Sequence, residues 1–281
     1  MLKHIALIIL ICFVGAQNTF AKVLVAVPSN VLVDYKKFLG TRLVSEIKSY
    51  GGDDSSREIV DLILFQQAFL KANHLENVEL VSVENFKKAS EDLKSGSVFT
   101  YGSSLWLPDI KEMGAIETEP LVEAGQFESG VFTTVTNLRA NNAKSLSDLQ
   151  KLKAVSSEKW IVDWQTLSSL GIPTTSVATW KEMVTALTSQ HADIVLAPLV
   201  GDPNGDIRAG DVKLRPIKGI KVGLNSSRHF VVSKVYPNSG VLLAKLNEGI
   251  RKLKKEGVVR KAYLESGVIN AKAENWTMIK N

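Results

Sequence analysis

Serine hydroxyls follow two segments of the chain that are predicted to be buried strands. Ser29 comes after the apolar run at residues 23–27, and Ser156 and Ser157 end a strand that starts at residue 153. In open α/β sheets, ligands bind at the carboxyl ends of strands, beside the starts of helices. Backbone N–H groups at a helix start, together with a serine hydroxyl, suit a carboxylate or a phosphate. A plain N-cap also selects serine, so both interpretations of Ser156 and Ser157 stay open.

Aromatic residues accompany small polar ones after the third predicted strand. Tyr101 is followed by Gly102, Ser103, Ser104 and, two residues further on, Trp106. Core packing is one interpretation of these two rings, but the small polar residues between them favour the wall of a binding cleft. Aromatic faces and hydroxyl groups together predict contact with a small, partly apolar ligand.

Two further side chains have the chemistry to contact a ligand. Trp160 lies at the first turn of a predicted helix and is expected to edge the cleft, although core packing is the alternative. Arg228 lies where the chain is expected to return between two halves of the molecule, and its guanidinium would bind a carboxylate there. A surface position at a hinge is the alternative for Arg228. The complete set of predicted ligand-binding residues is Ser29, Tyr101, Ser103, Trp106, Ser156, Ser157, Trp160 and Arg228.

Composition excludes several other kinds of site. The only cysteine is Cys12, and the remaining histidines after residue 4 stand far apart without metal-ligand spacing, so no metal and no cofactor is expected. No phosphate-binding loop, nucleophile elbow or zinc-protease motif occurs. The net charge is only +5. The basic residues at 251–255 fall on the solvent side of a predicted amphipathic helix, so no nucleic-acid partner is expected.

The N-terminus has the order of segments found in secretory signal peptides. Lys3 and His4 precede an apolar run at residues 5–14, and small and polar residues then lead to Ala21. The run is too short to span a bilayer. We therefore expect residues 1–21 to be a signal peptide cleaved near Ala21, with the mature protein in the periplasm and without cysteine.

The remaining chain alternates predicted strands and helices. Strands at 23–27, 78–83 and 98–101 are separated by a buried helix at 56–72 and a shorter one at 85–94. A second series of strands and helices follows, which predicts an α/β fold.

Two such series, joined by extended segments, predict two lobes, each a mostly parallel sheet flanked by helices. Residues 22–126 and 230–281 are predicted to form the first lobe and residues 127–229 the second. The hinge segments are expected near 127–136 and 222–232.

The order of these parts resembles a known family. Residues 144–160, 176–198 and 228–268 are similar to the second lobe and C-terminal return of family 3 extracellular solute-binding proteins. The resemblance implies the type II periplasmic binding fold and a small-molecule ligand between the lobes. It also implies a monomer without catalytic activity, and a partner that is an ABC importer permease or a membrane sensor.

Two departures from the family pattern concern the ligand. Amino-acid receptors of this family usually carry an arginine after the third strand, where this chain has Tyr101 to Trp106 without one. They also usually carry an aspartate where Ala197 and Pro198 stand here; Asp202 would replace it only if its loop folds back. The expected ligand is therefore a small polar molecule, anionic or zwitterionic, rather than an ordinary amino acid.

An enzyme on the same fold is the alternative function. Cyclohexadienyl dehydratases resemble these binding proteins and use acid–base residues in the cleft. The carboxylates available here are Glu128, Glu158 and Asp163. A hinge ion pair and the favourable charge of a helix start are simpler explanations for them.

Overall fold

The computed structural model describes residues 22–73, 78–199 and 205–280, so the expected signal peptide and Asp202 lie outside the described residues. The strands are β1 (Val23–Pro28), β2 (Val78–Val83), β3 (Thr100–Tyr101), β4 (Leu105–Trp106), β5 (Ile116–Glu117), β6 (Glu128–Thr134), β7 (Ala154–Ser156), β8 (Thr174–Ser176), β9 (Val195–Ala197), β10 (Ile207–Ala209), β11 (Val212–Gly223), β12 (Arg228–His229), β13 (Val231–Val232) and β14 (Thr277–Ile279). The helices are α1 (Ser29–Leu39), α2 (Arg57–Lys71), α3 (Phe86–Ser95), α4 (Leu107–Met113), α5 (Leu138–Asn141), α6 (Leu146–Leu149), α7 (Ile161–Ser169), α8 (Trp180–Thr188), α9 (Ser239–Lys255) and α10 (Val258–Glu265). Short 3₁₀ turns occur at Val44–Glu46 and Ala271–Ala273.

Several helix ends are set by local residue chemistry. Thr179 and Glu182 form the capping box that the sequence predicts at the start of α8: the Thr179 hydroxyl accepts a hydrogen bond from the Glu182 N–H, and the Glu182 carboxylate accepts one from the Thr179 N–H. Helix α3 ends at Gly96, whose φ of 76° is the left-handed conformation that favours glycine. These interactions span a few residues, which is why the pattern of residues indicates them.

The first sheet has the strand order β2-β1-β3-β13-β5. Strand β1 is parallel to β2 and β3, whereas β13 is antiparallel to its neighbours because it belongs to the returning chain. Helix α2 shares one apolar core with β1 and α9. A Cβ atom at Gly249 of α9 would lie 1.8 Å from the carbonyl oxygen of Ala68, so glycine permits the close contact of α9 with α2.

The second sheet has the order β10-β11-β6-β9, with β14 paired to β11. The pairs β10–β11, β11–β6 and β6–β9 are antiparallel. The expectation of a mostly parallel sheet in this lobe is therefore wrong. The reason is that β6 leads the chain into the lobe and β11 leads it out, so the two neighbouring strands run in opposite directions. The pair β7–β8 is parallel, and a parallel bridge between Ala154 and Ile194 connects it to the segment that leads into β9.

The two segments that join the sheets lie side by side. The Leu224 N–H donates to the Phe127 carbonyl at 2.9 Å, and the Gly125 N–H donates to the Leu224 carbonyl at 2.7 Å. Strands β6 and β11 then pair from Glu128 and Gly223 onward. Strand β12 pairs with β4, so Arg228 faces Trp106 in the register. The exact lobe boundaries stay a prediction.

The C-terminal segment packs on the first sheet and also adds a strand to the second. Helices α9 and α10 share the core of the first sheet, as the sequence indicates. Strand β14 instead runs parallel to β11 of the second sheet, and Ile279 is buried in the second core. The prediction that residues 230–281 all belong to the first lobe does not match this pairing. The apolar residues Trp276 and Ile279 have their burial site on the second lobe.

Two kinds of feature are absent from the described ranges. None of the helices within them is long and apolar enough to cross a membrane. Within the same ranges, no three or more His, Cys, Asp or Glu residues stand together as a metal site would require.

Candidate functional site

A cavity of about 460 Å³ lies where the two sheets meet. Strands β4 and β12 border it on the side of the first sheet, and the starts of α7 and α8 border it on the side of the second. Its wall is mainly aromatic and aliphatic, with one cation and two carboxylates. The lining residues are Trp106, Phe127, Glu128, Ser129, Trp160, Asp163, Trp180, Leu196, Ala197, Pro198, Ile207, Leu224 and Arg228. Such a volume and mixture of walls suit a small organic molecule.

Arg228 is the cationic group of the cavity. Its guanidinium carbon lies 4.5 Å from the ring centroid of Trp106 and 5.6 Å from that of Phe127. The two rings meet edge to face, with centroids 5.0 Å apart. Nε of Arg228 donates to the Ser104 hydroxyl at 3.0 Å, and Nη2 donates to the Ser104 carbonyl. Aromatic contact and hydrogen bonds together fix the orientation of this side chain.

A buried carboxylate beneath the cavity holds Ser104 in place. Asp61 on α2 is fully buried, and its Oδ2 accepts hydrogen bonds from the Ser104 N–H at 2.9 Å and the Ser104 hydroxyl at 2.8 Å. Its Oδ1 accepts from the Tyr263 hydroxyl at 2.6 Å. Arg57 forms an ion pair with the same carboxylate at 3.3 Å. Asp61 therefore positions the serine that orients Arg228.

The charge of Arg228 has no direct counter-ion among the residues that the structure describes. The side chain is only 6% exposed, yet none of the described carboxylates lies within ion-pair distance of it. Burial lowers the pKa of Arg228 to about 10, and the nearby positive charge of Arg57 adds to this effect. Because this pKa remains far above neutrality, the guanidinium stays charged. Nη1 donates to none of the described residues, so the edge of the guanidinium that carries it is available to an anion.

The wall on the side of the second sheet combines two tryptophans with a carboxylate. The rings of Trp160 and Trp180 are stacked, with centroids 6.3 Å apart and planes inclined by 21°. Trp160 is 39% exposed. Asp163 stands three residues after Trp160, in the first turn of α7. Burial raises the pKa of Asp163 to about 6.

Glu128 is the second carboxylate of the cavity and is already paired. Its Oε1 accepts a hydrogen bond from Nζ of Lys221 at 2.7 Å, and both side chains are largely buried. The pair bridges β6 and β11 next to the joining segments. The other oxygen, Oε2, is buried without a hydrogen-bond partner in the described chain. Breaking this ion pair would leave a buried charge, so its main role is structural.

Known structures share this architecture, whereas sequence comparison finds no relative. A probable amino-acid ABC transporter extracellular-binding protein from Bacillus subtilis is similar at 12% identity and a TM-score of 0.53, over 87% of this chain and 97% of that one. The L-cystine solute receptor of Neisseria gonorrhoeae in its unliganded open conformation is similar at 17% identity and a TM-score of 0.51, over 86% of this chain and 91% of that one. The periplasmic VFT2 domain of BvgS from Bordetella pertussis is similar at 15% identity and a TM-score of 0.52, over 86% of this chain and 92% of that one. No family model and no curated protein matches the sequence.

The chain has the two-lobed type II periplasmic binding fold. The fold class that the sequence resemblance implies is thereby confirmed. In this fold the cavity described above lies between the lobes, with the joining segments at 125–128 and 222–228 along its base. At these low identities the likeness concerns the fold.

Three of the predicted ligand-binding residues line the interlobe cavity of this periplasmic binding fold. Trp106, Trp160 and Arg228 come together there although they are far apart in the sequence. Ser103 lies just behind the cavity, where its hydroxyl donates to Asp61 at 3.1 Å and accepts from Arg57. It supports the site through Asp61.

The other predicted residues lie away from the cavity lining. Ser29 is exposed at the start of α1, and its hydroxyl lies 2.9 Å from that of Ser82. Tyr101 is buried and packs edge to face against Phe86 at 5.4 Å. Ser156 and Ser157 are buried at the end of β7, where the Ser157 carbonyl accepts from the Trp160 N–H. Ligand contact by these residues remains a prediction.

Phe127 and Trp180 line the cavity but were not among the residues predicted from the sequence. Trp180 directly follows Thr179, the N-cap of α8, so it starts a helix at the carboxyl end of a strand, as Trp160 does. That position in the sequence could have predicted Trp180 as a lining residue. Phe127 stands at a joining segment, and only the pairing of that segment with Leu224 brings its ring to Arg228.

Proposed function

We propose that the chain is a periplasmic solute-binding protein that captures a small polar molecule, anionic or zwitterionic, between its lobes. It would present this molecule to an ABC importer or a membrane sensor, as a monomer exported with cleavage near Ala21. The similar structures are an ABC transporter extracellular-binding protein, a solute receptor and a periplasmic domain, which supports this class of function.

The environment of Arg228 carries the proposal. A buried guanidinium without a carboxylate partner is costly unless an anion binds it. Trp106 and Phe127 lie on the same side of the guanidinium, and Nε and Nη2 are bonded to Ser104, so the edge that carries Nη1 is the part left for a ligand. A carboxylate bound in this plane would receive charge-assisted hydrogen bonds. Arg228 thus takes the place of the arginine that the family usually carries after the third strand.

Closure of the lobes is the physical event that binding would drive. Residues on both sides of the cavity are aromatic or aliphatic, including Trp106 on the first lobe and Trp180 and Leu196 on the second. A ligand that contacts both walls stabilises the closed arrangement by its differential affinity for it. The antiparallel segments at Phe127 and Leu224 form the hinge of this motion in the proposal.

The experiment is a thermal-shift and calorimetric screen of the purified protein against small carboxylates, amino acids, polyamines and sugars. A bound carboxylate should raise the melting temperature by mass action. Arg228→Gln should weaken its binding by roughly 2–5 kcal/mol, the usual cost of removing one partner of a buried charged contact. Arg251→Gln is the matched control, because Arg251 is exposed on α9 and, among the described residues, pairs only with Glu119. Equal affinity in both variants would refute the anion site.

The enzyme alternative is tested with the same sample. A dehydratase would need a carboxylate beside the substrate, and Glu158 does not line the cavity while Glu128 is committed to Lys221. We expect no turnover of prephenate or arogenate by the purified protein. Detectable product that disappears in Asp163→Asn would replace the binding proposal by the enzymatic one.

A further inference from the structure

The second-lobe wall of the cavity has the composition of a site for an organic cation. Trp160 and Asp163 stand one helical turn apart at the start of α7, so both side chains emerge on the same side of that turn. Trp180 at the start of α8 stacks on Trp160. All three residues line the cavity, and Trp160 is 39% exposed although it is a large aromatic residue.

Asp163 has no partner on another described residue, unlike the other acidic residues of this lobe that are at least partly buried. The Asp193 carboxylate accepts hydrogen bonds from the Lys153 N–H and the Asn137 amide. The Glu182 and Asp148 carboxylates complete helix starts. The Asp163 carboxylate has only its own backbone N–H as a donor, and no described cation forms an ion pair with it. A carboxylate that only served the helix start would lie in solvent, whereas the Asp163 carboxylate is half-buried in the wall of the cavity.

The neighbouring wall decides which cation fits. A primary ammonium group is strongly hydrated and needs several hydrogen-bond acceptors when it leaves water. Leu196, Pro198 and Ile207, which complete this part of the cavity, have apolar side chains. Tryptophan faces attract weakly hydrated organic cations, and quaternary ammonium groups are the typical ligands of aromatic walls. The position where amino-acid receptors usually hold the ligand ammonium is occupied here by Ala197.

We propose that Trp160, Trp180 and Asp163 form a subsite for an alkylated ammonium group. The solute is then a zwitterion whose carboxylate meets Arg228 on the first lobe and whose alkylated cation meets this wall on the second. This assignment rests on the proposed function, because it uses the same cavity, and it narrows the ligand from polar anions and zwitterions to one chemical class.

The test compares three carboxylates that share the anionic end. Glycine betaine carries a trimethylammonium group, tert-butylacetate has the same shape without the charge, and glycine has a primary ammonium group. By calorimetry at neutral pH, glycine betaine should bind at least about tenfold more tightly than either of the other two. Asp163→Asn should remove most of its advantage over tert-butylacetate. Asp211→Asn, at an exposed turn of the same lobe outside the cavity, should keep it.

A second measurement separates this inference from the proposed function. Tetramethylammonium chloride, which lacks a carboxylate, should change the tryptophan fluorescence of the protein more than the same concentration of sodium chloride. Trp160→Ala should abolish that change. If carboxylates bind and depend on Arg228 but neither trimethylammonium probe is preferred, the cation subsite is wrong and the proposed function stands. Tighter binding of an aromatic carboxylate such as indole acetate than of glycine betaine would also overturn it, since the rings would then serve to stack on a flat ligand.

Discussion

The guanidinium of Arg228 lies over the ring of Trp106, 4.5 Å from its centroid, and the two residues are register partners in the β4–β12 pair. One residue comes from the outgoing chain of the first lobe and the other from the returning chain. Because of this pairing, the anion-binding guanidinium is part of the region where the two lobes join. A change at either residue should affect both ligand affinity and the geometry of the hinge.

Trp106→Ala should weaken ligand binding more than it lowers stability. Removing the ring deletes the cation–aromatic contact, worth about 0.5–2 kcal/mol, and one wall of the cavity. Trp106 is only partly buried, so its loss should cost less free energy of unfolding than the roughly 3–5 kcal/mol of a core aromatic residue. Urea denaturation and calorimetry with the best ligand of the screen measure both quantities. Phe65→Ala, in the first core, is the comparison for stability. Equal losses of stability in the two variants would assign Trp106 to the core.

Asp61→Asn should destabilise the protein and impair binding at a distance. The substitution removes the negative charge that faces Arg57 and disturbs the hydrogen bonds that hold Ser104. Breaking a buried ion pair usually costs about 3–5 kcal/mol. Asp92→Asn is the control, because its pair with Lys88 lies on the surface of α3 and is worth less than about 1 kcal/mol. Similar unfolding midpoints for the two variants would contradict a supporting role for Asp61.

The affinity for the proposed zwitterion with an alkylated ammonium group should fall below about pH 6. The pKa of Asp163 is raised by burial to about 6, so its carboxylate is mostly charged at neutral pH and mostly protonated near pH 5. Affinity should drop by roughly tenfold between pH 7 and pH 5, in proportion to the charged fraction. Glu128 and Arg228 are the other charged groups of the cavity. A pH profile by calorimetry should become flat in Asp163→Asn; an unchanged slope in that variant would assign the dependence to another group.

The raised pKa of Asp163 affects the stability of the ligand-free protein in the opposite direction: stability falls as pH rises, whereas ligand affinity increases. A carboxyl whose pKa is raised on folding binds its proton more tightly in the folded state. Its contribution to the free energy of unfolding is therefore present below the unfolded value of about 4 and is lost as pH rises through about 6. The free energy of unfolding of the wild type and of Asp163→Asn, measured by urea denaturation between about pH 4 and pH 6, separates the contribution of Asp163 from that of other acidic residues.

Local features of the fold were predictable from the sequence, whereas contacts between distant segments were not. The capping box of Thr179 and Glu182 and the helix end at Gly96 depend on residues within one turn. The antiparallel pairing in the second sheet depends on β6 and β11, which are neighbours in the sheet although most of the second lobe separates them in the sequence. A local apolar pattern indicates a strand and how far it is buried, whereas the direction of its neighbour is set by the path of the chain between them.

The candidate site shows the same division. Tyr101 and Trp106 stand five residues apart, and the sequence favours the cleft for both. The Tyr101 ring packs on Phe86 of α3, while Trp106 reaches the cavity because β4 pairs with β12. Arg228 was predicted from its position at the return of the chain. Its partners Phe127 and Ser104 follow from tertiary pairing, which a single sequence does not reveal.

The most direct test of the account follows two tryptophans at once. Trp106 lies on the first lobe and Trp160 on the second, so a ligand bound between the lobes must change the surroundings of both. The indole N–H resonances, assigned by Trp106→Phe and Trp160→Phe variants, are followed by NMR during titration with the carboxylate that raises the melting temperature most. We predict that both resonances shift along one binding curve with the same Kd, and that Arg228→Gln weakens both equally. A ligand that binds but leaves either resonance unmoved would contradict capture between the lobes.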